Sequence, residues 1–344
     1  MTRSLPNVAD VARRAGVSTA TVDRVLHKRP GVRTATVQRV VQAAAELEYL
    51  PRHELHATLA PEPMQLLFVL PDRSSYFLRM LGEWVGFSQE HWAPFNVNCK
   101  TAFIQSFDPE ALAGMLRRRG PRVDGVAFMA LEHPVVREAV EMLAERGIPA
   151  ITLVSDLSHS RRVAYVGLDN RAAGRTAAYL IGRFLGPARR AKVAMIAGSL
   201  SYRAHEEREA GFMQLIAEQY PQLQVLDLRE GYDDERTNYR QTRALLEQHP
   251  DLAAIYNIGG ASEGVARALK EIGQEHRVVF IGHGLTPDTR ALLIDGTMDA
   301  VINQSPQSAI LACVRMFTNL RDRRDLNSGV EATRSQVIFR ENLP

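Results

Sequence analysis

The stretch VADVARRAGVSTATVDRVLHKRPGVR, residues 8–33, predicts two short amphipathic helices joined at a glycine. Apolar side chains at positions 8, 11, 12 and 15 share one face of the first helix, because an α-helix turns once every 3.6 residues. Gly16 ends that helix, since glycine adopts the left-handed conformation that a tight turn requires. Ser18 is a favourable N-cap for a second helix. The buried face of that helix is predicted to contain Val22, Val25 and Leu26.

A third helix is predicted at about residues 34–47, where apolar side chains again recur at helical spacing. Three short helices with a tight turn after the first form a helix-turn-helix unit, whose second helix enters the major groove of DNA. Residues 1–60 contain nine Lys and Arg against five Asp and Glu, whereas the net charge of the whole chain is only +3. This local basic excess favours a polyanionic partner. A three-helix bundle without a nucleic-acid role is the alternative.

The same segment resembles the DNA-binding headpiece of the LacI/GalR family of bacterial transcription regulators. It preserves the family pattern D-V-A-x-x-A-G-V-S-x-x-T-V-x-R-V-L and continues as TVQRVVQAAAELEYLP, so the resemblance covers about residues 5–51. The resemblance implies base contacts from Thr19, Ala20 and Arg24. Arginine can pair bidentately with guanine, and the methyl groups of Ala and Thr can touch the thymine methyl.

Further DNA contacts follow from the same resemblance. Ser18 and Thr21 are expected to hold phosphates, which fixes the register of the protein on the duplex. His27, also counted among the DNA-contacting residues, stands where the family usually has asparagine, and Asp23 stands where it has serine. An acid near phosphates is repulsive unless it bonds Arg24 or accepts a hydrogen bond from a cytosine amino group.

Beyond the headpiece, the family has a short hinge helix whose leucine wedges into the minor groove of the operator. Here the segment is RHELHATLAPEP, in which Thr58 occupies the usual wedge position. Leu59 could supply the wedge with a shift of one residue. A plain linker is the alternative.

From Met64 onward, the sequence changes to apolar runs of four to eight residues separated by amphipathic segments. This alternation predicts βαβ units, and therefore parallel sheets with helices on both faces. Nine or ten strands exceed one core, so two lobes with a cleft between them are expected. The resemblance implies the same architecture, an α/β core of two Rossmann-like lobes of the periplasmic-binding-protein type I class.

The resemblance also suggests how the chain is divided. We expect a helix-turn-helix headpiece at residues 1–51, a hinge or linker at 52–63, and an effector-binding and dimerisation domain at 64–344. Within the last, the first lobe is expected at about 64–164 with a return segment near 287–317. The second is expected at about 165–286 with the C-terminal strand SQVIFRE. Two further segments match the family, YVGLDNRAAG to V-G-x-D-N-x-x-A-G and HEEREAGF to R-x-x-G-F.

Ligands of open parallel sheets bind beyond the carboxyl ends of the strands. Aromatic, acidic and amide side chains at those ends suit polyhydroxylated rings. In the sugar-binding pattern of the family, His283 replaces an aspartate, Gly259 an asparagine and Glu206 an arginine, whereas Gln304 matches. The ring of His283 is expected to project into the cleft and to bond a ligand acceptor. The candidate effector-binding residues are Tyr76, Phe77, Asp156, Arg203, Glu206, Asn257, His283 and Gln304. Packing aromatics, turn formers and a loop histidine are the alternatives for individual members.

Other classes of function find little support. AHEER, from Ala204, lacks the H-E-x-x-H zinc spacing, and NIGGASEG, from Asn257, lacks the ending of a phosphate-binding loop. The two cysteines are far apart, so neither a disulfide framework nor a zinc site is implied. No apolar run suits a membrane span, and no secretory signal is recognised, so a cytoplasmic location is expected. We expect neither an enzyme nor a bound cofactor or metal.

The sequence therefore predicts a transcription regulator, most simply a repressor, that binds double-stranded operator DNA as a homodimer and responds to a small polar effector such as a sugar. Two headpieces are expected because one alone makes few contacts. The alternative is a constitutive DNA-binding protein whose cleft no longer binds a ligand.

Overall fold

A computed structural model describes residues 6–50, 62–72, 75–86, 92–186 and 189–344 of the chain. The chain divides into two units, residues 1–63 and residues 64–344. The expected minor-groove wedge at Leu59 lies outside the described residues.

The first unit contains three helices, α1 (Val8–Ala15), α2 (Thr19–Leu26) and α3 (Thr34–Glu46). Gly16 adopts the left-handed conformation, with φ of 67°, at the end of α1. The Ser18 hydroxyl accepts a hydrogen bond from the Thr21 amide and so caps α2. Apolar side chains of all three helices form one small core. The helix-turn-helix arrangement predicted from the sequence is confirmed.

The larger unit has two lobes, and the first is built on a parallel sheet of order β2-β1-β3-β4-β5. These strands are β1 (Met64–Pro71), β2 (Val97–Ile104), β3 (Gly125–Phe128), β4 (Ala150–Leu153) and β5 (Ala164–Val166). Its helices include α4 (Tyr76–Gly86), α5 (Pro109–Arg119) and α6 (Pro134–Glu145). Strands β3 and β4 are buried along their whole length, as expected of a parallel sheet covered on both faces.

The second lobe is built on a sheet of order β12-β11-β10-β9-β6-β7, with the short strand β8 also paired to β6. All these pairings are parallel except that between β11 and the edge strand β12. The strands are β6 (Ala191–Ala197), β7 (Leu223–Val225), β8 (Arg229–Glu230), β9 (Leu252–Asn257), β10 (Val279–His283), β11 (Ala300–Asn303) and β12 (Gln336–Ile338). The helices are α7 (Asn170–Leu185), α8 (Arg203–Gln219), α9 (Glu235–Gln248), α10 (Ser262–Glu271) and α11 (Pro287–Ile294).

The segment that returns to the first lobe lies later in the chain than expected. The sequence predicted a return near 287–317, but α11 and β11 belong to the second lobe. Helix α12 (Pro306–Arg321) packs on the first lobe, where Cys313 and Phe317 are fully buried in its core, and Leu326 and Val330 after it also pack there. The apolar side chains of α12 pack in the core of the first lobe. Strand β11 instead pairs in register with β10, and this pairing holds β11 in the second sheet.

Candidate functional site

The DNA-contacting candidates lie on α2 and its cap. Val22 and Val25 of this helix are buried against α1 and α3. The side chains on its other side are exposed or half-buried. These are Ser18, Thr19, Ala20, Thr21, Arg24 and His27. One face of α2 is therefore available to enter a DNA groove, while the opposite face packs in the core formed by the three helices.

The sequence left open whether the carboxylate of Asp23 bonds Arg24. Its carboxylate pairs with Arg29, at 3.0 Å from Nη1, and with His27, at 3.3 Å from Nε2. In the described part of the chain no ion pair joins it to Arg24, whose side chain is exposed. The charge of the acid is thus paired with that of Arg29, which leaves Arg24 available for a base.

A pocket lies between the two lobes of the larger unit. Its empty space is about 540 Å³ when the space around its open mouth is included. The first lobe contributes Phe77, Leu78, Met129 and Val154, so this wall is largely apolar. The second lobe contributes the polar wall, which contains His205, Arg208, Asp233, His283 and Gln304.

Arg208 is placed by close packing of two helices. A Cβ atom added at Gly174 of α7 would lie 1.9 Å from the Arg208 carbonyl oxygen of α8. A Cβ at Gly211 of α8 would likewise lie 2.1 Å from the Arg171 carbonyl oxygen of α7. Only glycine permits this approach, which explains why both matched family segments contain one.

The Arg208 side chain then joins these two segments at the pocket. It is 5% exposed, and its Nε donates to Oδ1 of Asn170 at 2.9 Å. Its Nη1 donates to the carbonyl oxygen of Ile258, also at 2.9 Å. The Asn170 amide in turn donates to the Tyr165 hydroxyl at 3.0 Å. These partners hold a buried cation at the pocket wall, where it can bind oxygen atoms of a ligand.

His283 faces the pocket as predicted, but protein groups engage its ring. Nε2 lies 2.8 Å from the Tyr256 hydroxyl, and the ring also hydrogen-bonds to the backbone of Ile302. Burial, together with the positive charge of Arg208, lowers the pKa of His283 well below its ordinary value. The imidazole is therefore neutral at pH 7. The imidazole therefore presents a ring surface to the pocket, because protein groups occupy its hydrogen-bonding atoms. The sequence had predicted that it would hydrogen-bond to the ligand.

The remaining polar groups of the pocket are also largely fixed. Asp233 Oδ1 accepts from the Gly260 amide at 2.7 Å. His205 contacts the Ser199 backbone through Nδ1, and burial lowers its pKa to about 4. Oε1 of Gln304, a residue only 5% exposed, has no hydrogen-bond partner among the described residues. The pocket thus presents one cation, one carboxylate and an unpaired amide acceptor.

Some predicted effector-binding residues lie near the pocket without lining it. Tyr76 lines an adjoining cavity with Phe77 and His283, and its ring lies 3.9 Å from the guanidinium carbon of Arg79. Asn257 is fully buried and donates to the Gly260 carbonyl oxygen at 2.8 Å, so it shapes the loop that forms the pocket floor.

Three others serve different contacts. Asp156 forms an ion pair with Arg162 and accepts from the Thr152 hydroxyl at 2.6 Å, so local groups occupy its oxygens. Arg203 and Glu206 line a separate charged cavity, whose empty space is about 960 Å³ with its open mouth included, whereas His205 between them lines the pocket. The structure does not bring these three residues together with His283.

Sequence reasoning missed His205, Arg208 and Asp233. The R-x-x-G-F match had marked Arg208, and the end of the strand-like run LQVLDLRE comes just before Asp233. His205 follows β6 on the first turns of α8, where the strand-end rule could have identified it.

No group of three or more His, Cys, Asp or Glu side chains in the described ranges is arranged to hold a metal ion. Among the helices that the structure describes, none has the length and apolar character needed to cross a membrane.

Comparisons with known proteins agree with this two-part organisation. Residues 7–52 match the family "Bacterial regulatory proteins, lacI family", and residues 93–324 match the family "Periplasmic binding protein domain". The ribose operon repressor of Halalkalibacterium halodurans is 27% identical over 293 residues, which cover 85% of this chain and 81% of that protein. The ribose import binding protein of Escherichia coli is 30% identical over 172 residues, half of this chain and 56% of that protein. The glucose-galactose binding protein GanP of Geobacillus stearothermophilus has the same fold, with a TM-score of 0.74 at 23% identity over 83% of this chain and 100% of that one.

Proposed function

The chain belongs to the LacI family of bacterial regulatory proteins and contains a periplasmic binding protein domain, and from this membership we propose that it represses transcription under the control of a sugar or sugar-like metabolite. One unit exposes a recognition helix, and the other encloses a polar pocket between two lobes. The presence of both in one chain is the observation on which the proposal rests. The mechanism involves no catalytic step.

The pocket chemistry supports a small polar effector. Arg208 can donate to ligand oxygens, while Asp233 and Gln304 can accept from hydroxyl groups. Phe77 supplies an apolar face on the opposite wall, which suits the C–H face of a sugar ring. Relatives named for ribose import and for repression of a ribose operon make D-ribose the first effector to test.

Coupling between pocket and DNA follows from differential binding. An effector that binds one separation of the lobes better than another shifts the population of lobe arrangements. In a homodimer this shift alters how two headpieces are presented to two half-sites of an operator. We propose the homodimer because a single headpiece offers few phosphate and base contacts.

The alternative, a constitutive DNA-binding protein, requires a cleft that no longer binds a ligand. In such a protein, side chains could fill the cleft without any loss of function. The open pocket and the unpaired buried acceptor of Gln304 argue for the regulated protein, since such an acceptor is costly unless a ligand or water satisfies it.

The test is selection of operators from random duplexes with the full-length protein, followed by fluorescence anisotropy of the selected duplex during titration with D-ribose and other monosaccharides. A sugar-dependent change in operator affinity supports the proposal. An operator that binds equally with every sugar would support the constitutive alternative. A protein that selects no duplex would refute both.

Arg24→Ala is the matching variant for the DNA-binding half. Loss of a bidentate guanine contact should remove about 1–3 kcal/mol of discrimination at one position of each half-site. Repeating the selection should therefore give a relaxed consensus at that position, whereas sugar binding by the larger unit stays unchanged. Recovery of the wild-type consensus would remove Arg24 from the base-contacting set.

A further inference from the structure

Asp23 is an acid on the DNA-facing side of α2. It lies three residues after Ala20 and four after Thr19, and residues at these spacings share one face of a helix. The neighbouring apolar residues Val22 and Val25 are buried, so Asp23 projects from the free side of α2, with its side chain 45% exposed. A carboxylate there meets either phosphates or base edges when the helix enters a groove.

The ion pair of Asp23 withholds one cation from DNA. The guanidinium of Arg29, just beyond the end of α2, lies 3.0 Å from the carboxylate, and His27 lies 3.3 Å from its other oxygen. All three side chains are at least 45% exposed. Exposed ion pairs of this kind add little to stability, so this one is not needed to hold the headpiece together.

Binding to arbitrary DNA depends on phosphate contacts made by Lys and Arg, which carry no sequence information. While Arg29 is held by Asp23, it contributes less to such contacts. The carboxylate also repels phosphates and the acceptor atoms that guanine and thymine present in the major groove. At a matching site it can instead accept a hydrogen bond from the amino group of a cytosine.

We propose that Asp23 is a specificity-determining residue, which suppresses binding to non-cognate DNA by holding Arg29 and by penalising every site that lacks a cytosine amino group beside it. Specificity then arises in part from repulsion of wrong partners. This inference rests on the proposed function, since it presupposes that α2 enters the groove.

The decisive variant is Asp23→Ser, tested in the full-length protein on the selected operator and on a scrambled duplex of equal length. One additional phosphate contact steepens the dependence of log K on log salt by about 0.9, equivalent to roughly fivefold tighter binding at about 0.15 M salt. We expect this gain on the scrambled duplex and a smaller gain or a loss on the operator. The ratio of the two affinities should therefore fall.

Two further variants test whether the effect comes from the Asp23–Arg29 pair or from the change in net charge. Asp23→Ser should give a smaller gain on the scrambled duplex in an Arg29→Ala background than in the wild type, because the released arginine is then absent and only the relief of repulsion remains. Glu46→Gln is the matched control, because Glu46 also pairs with an arginine, Arg14 at 2.6 Å, but joins α3 to α1 and lies outside α2. It should leave the affinity ratio unchanged.

Several results would overturn the proposal. One is an unchanged affinity of Asp23→Ser for the scrambled duplex, and another is a gain that is equally large in the Arg29→Ala background. A third is an equal loss of discrimination in Glu46→Gln, which would leave only net charge as the cause. Failure of the wild-type protein to bind any duplex would instead refute the proposed function itself. Far-UV circular dichroism of each variant verifies that the headpiece is folded.

Discussion

Lowering the pH should destabilise the larger unit through His205, a pocket residue that is only 5% exposed. Burial lowers its pKa to about 4, whereas a histidine in an unfolded chain has a pKa of about 6.5. The folded pKa is thus below the unfolded one, so the unfolded chain binds the proton more readily. The stability that the neutral ring contributes is present above pH 6.5 and is lost as the pH falls towards 4.

The size of the effect follows from these two pKa values. Between about pH 7 and pH 5, the free energy of unfolding should fall by roughly 2 kcal/mol because of His205 alone. His283, whose pKa burial also lowers, acts in the same direction. Glu263 and Asp288, whose pKa values burial raises, act in the opposite direction. A comparison between variants is therefore needed, because it cancels the contributions that they share.

The variant is His205→Asn, in which the amide can replace the ring Nδ1 near the Ser199 backbone. Urea unfolding followed by tryptophan fluorescence gives the free energy of unfolding at each pH. The wild type should lose roughly 2 kcal/mol more than His205→Asn between about pH 7 and pH 5. His159→Asn, a matched change at an exposed histidine, should lose as much stability as the wild type. Equal losses in the wild type and in His205→Asn would refute the reasoning.

Three more predictions concern packing, the pocket and the division of the chain. Gly174→Ala and Gly211→Ala should each lower the free energy of unfolding by roughly 1–3 kcal/mol, whereas Gly114→Ala, in a helix with open space around the site, should be neutral or slightly stabilising in the same urea titrations. Gln304→Leu should stabilise the protein without ligand and weaken effector binding by about 1–3 kcal/mol in calorimetry, and unchanged affinity would exclude a contact. A fragment of residues 64–344 should bind the effector but not the operator, and operator binding by it would contradict the assignment of DNA contacts to α2.

Local signals explain what could be predicted of the fold. The helix-turn-helix is encoded within about forty consecutive residues, by helical spacing, the Gly16 turn and the Ser18 cap. The apolar runs that follow Met64 predicted parallel strands, and the structure contains them, because buried parallel strands are continuously apolar. The strand β2 has a weaker apolar signal in the sequence, since it lies at a sheet edge and only some of its side chains are buried. The short helix α11 lacks a strong periodic signal over its eight residues.

Pocket residues could be predicted from the sequence only where they lie at the end of a strand. Strand ends brought Phe77, His283 and Gln304 to one place. Arg208 is different, because it lies inside α8 and reaches the pocket only through the close contact of α8 with α7. That contact depends on glycines at two places far apart in the sequence, and strand-end reasoning contains no information about it.

The hydrogen-bonding role of His283 likewise could not be predicted from its position in the sequence. Its place at the end of β10 predicted correctly that the ring lies at the pocket, but the residue type alone suggested a free hydrogen-bonding group. Tyr256, which is 27 positions earlier in β9, occupies Nε2, and the Tyr256 ring stacks on Phe212 with centroids 5.0 Å apart. Because these partners fix the imidazole, we expect His283 to select among effectors by shape and ring contact. We therefore expect hydrogen bonding to the effector from the guanidinium of Arg208, the carboxylate of Asp233 and the unpaired oxygen of Gln304.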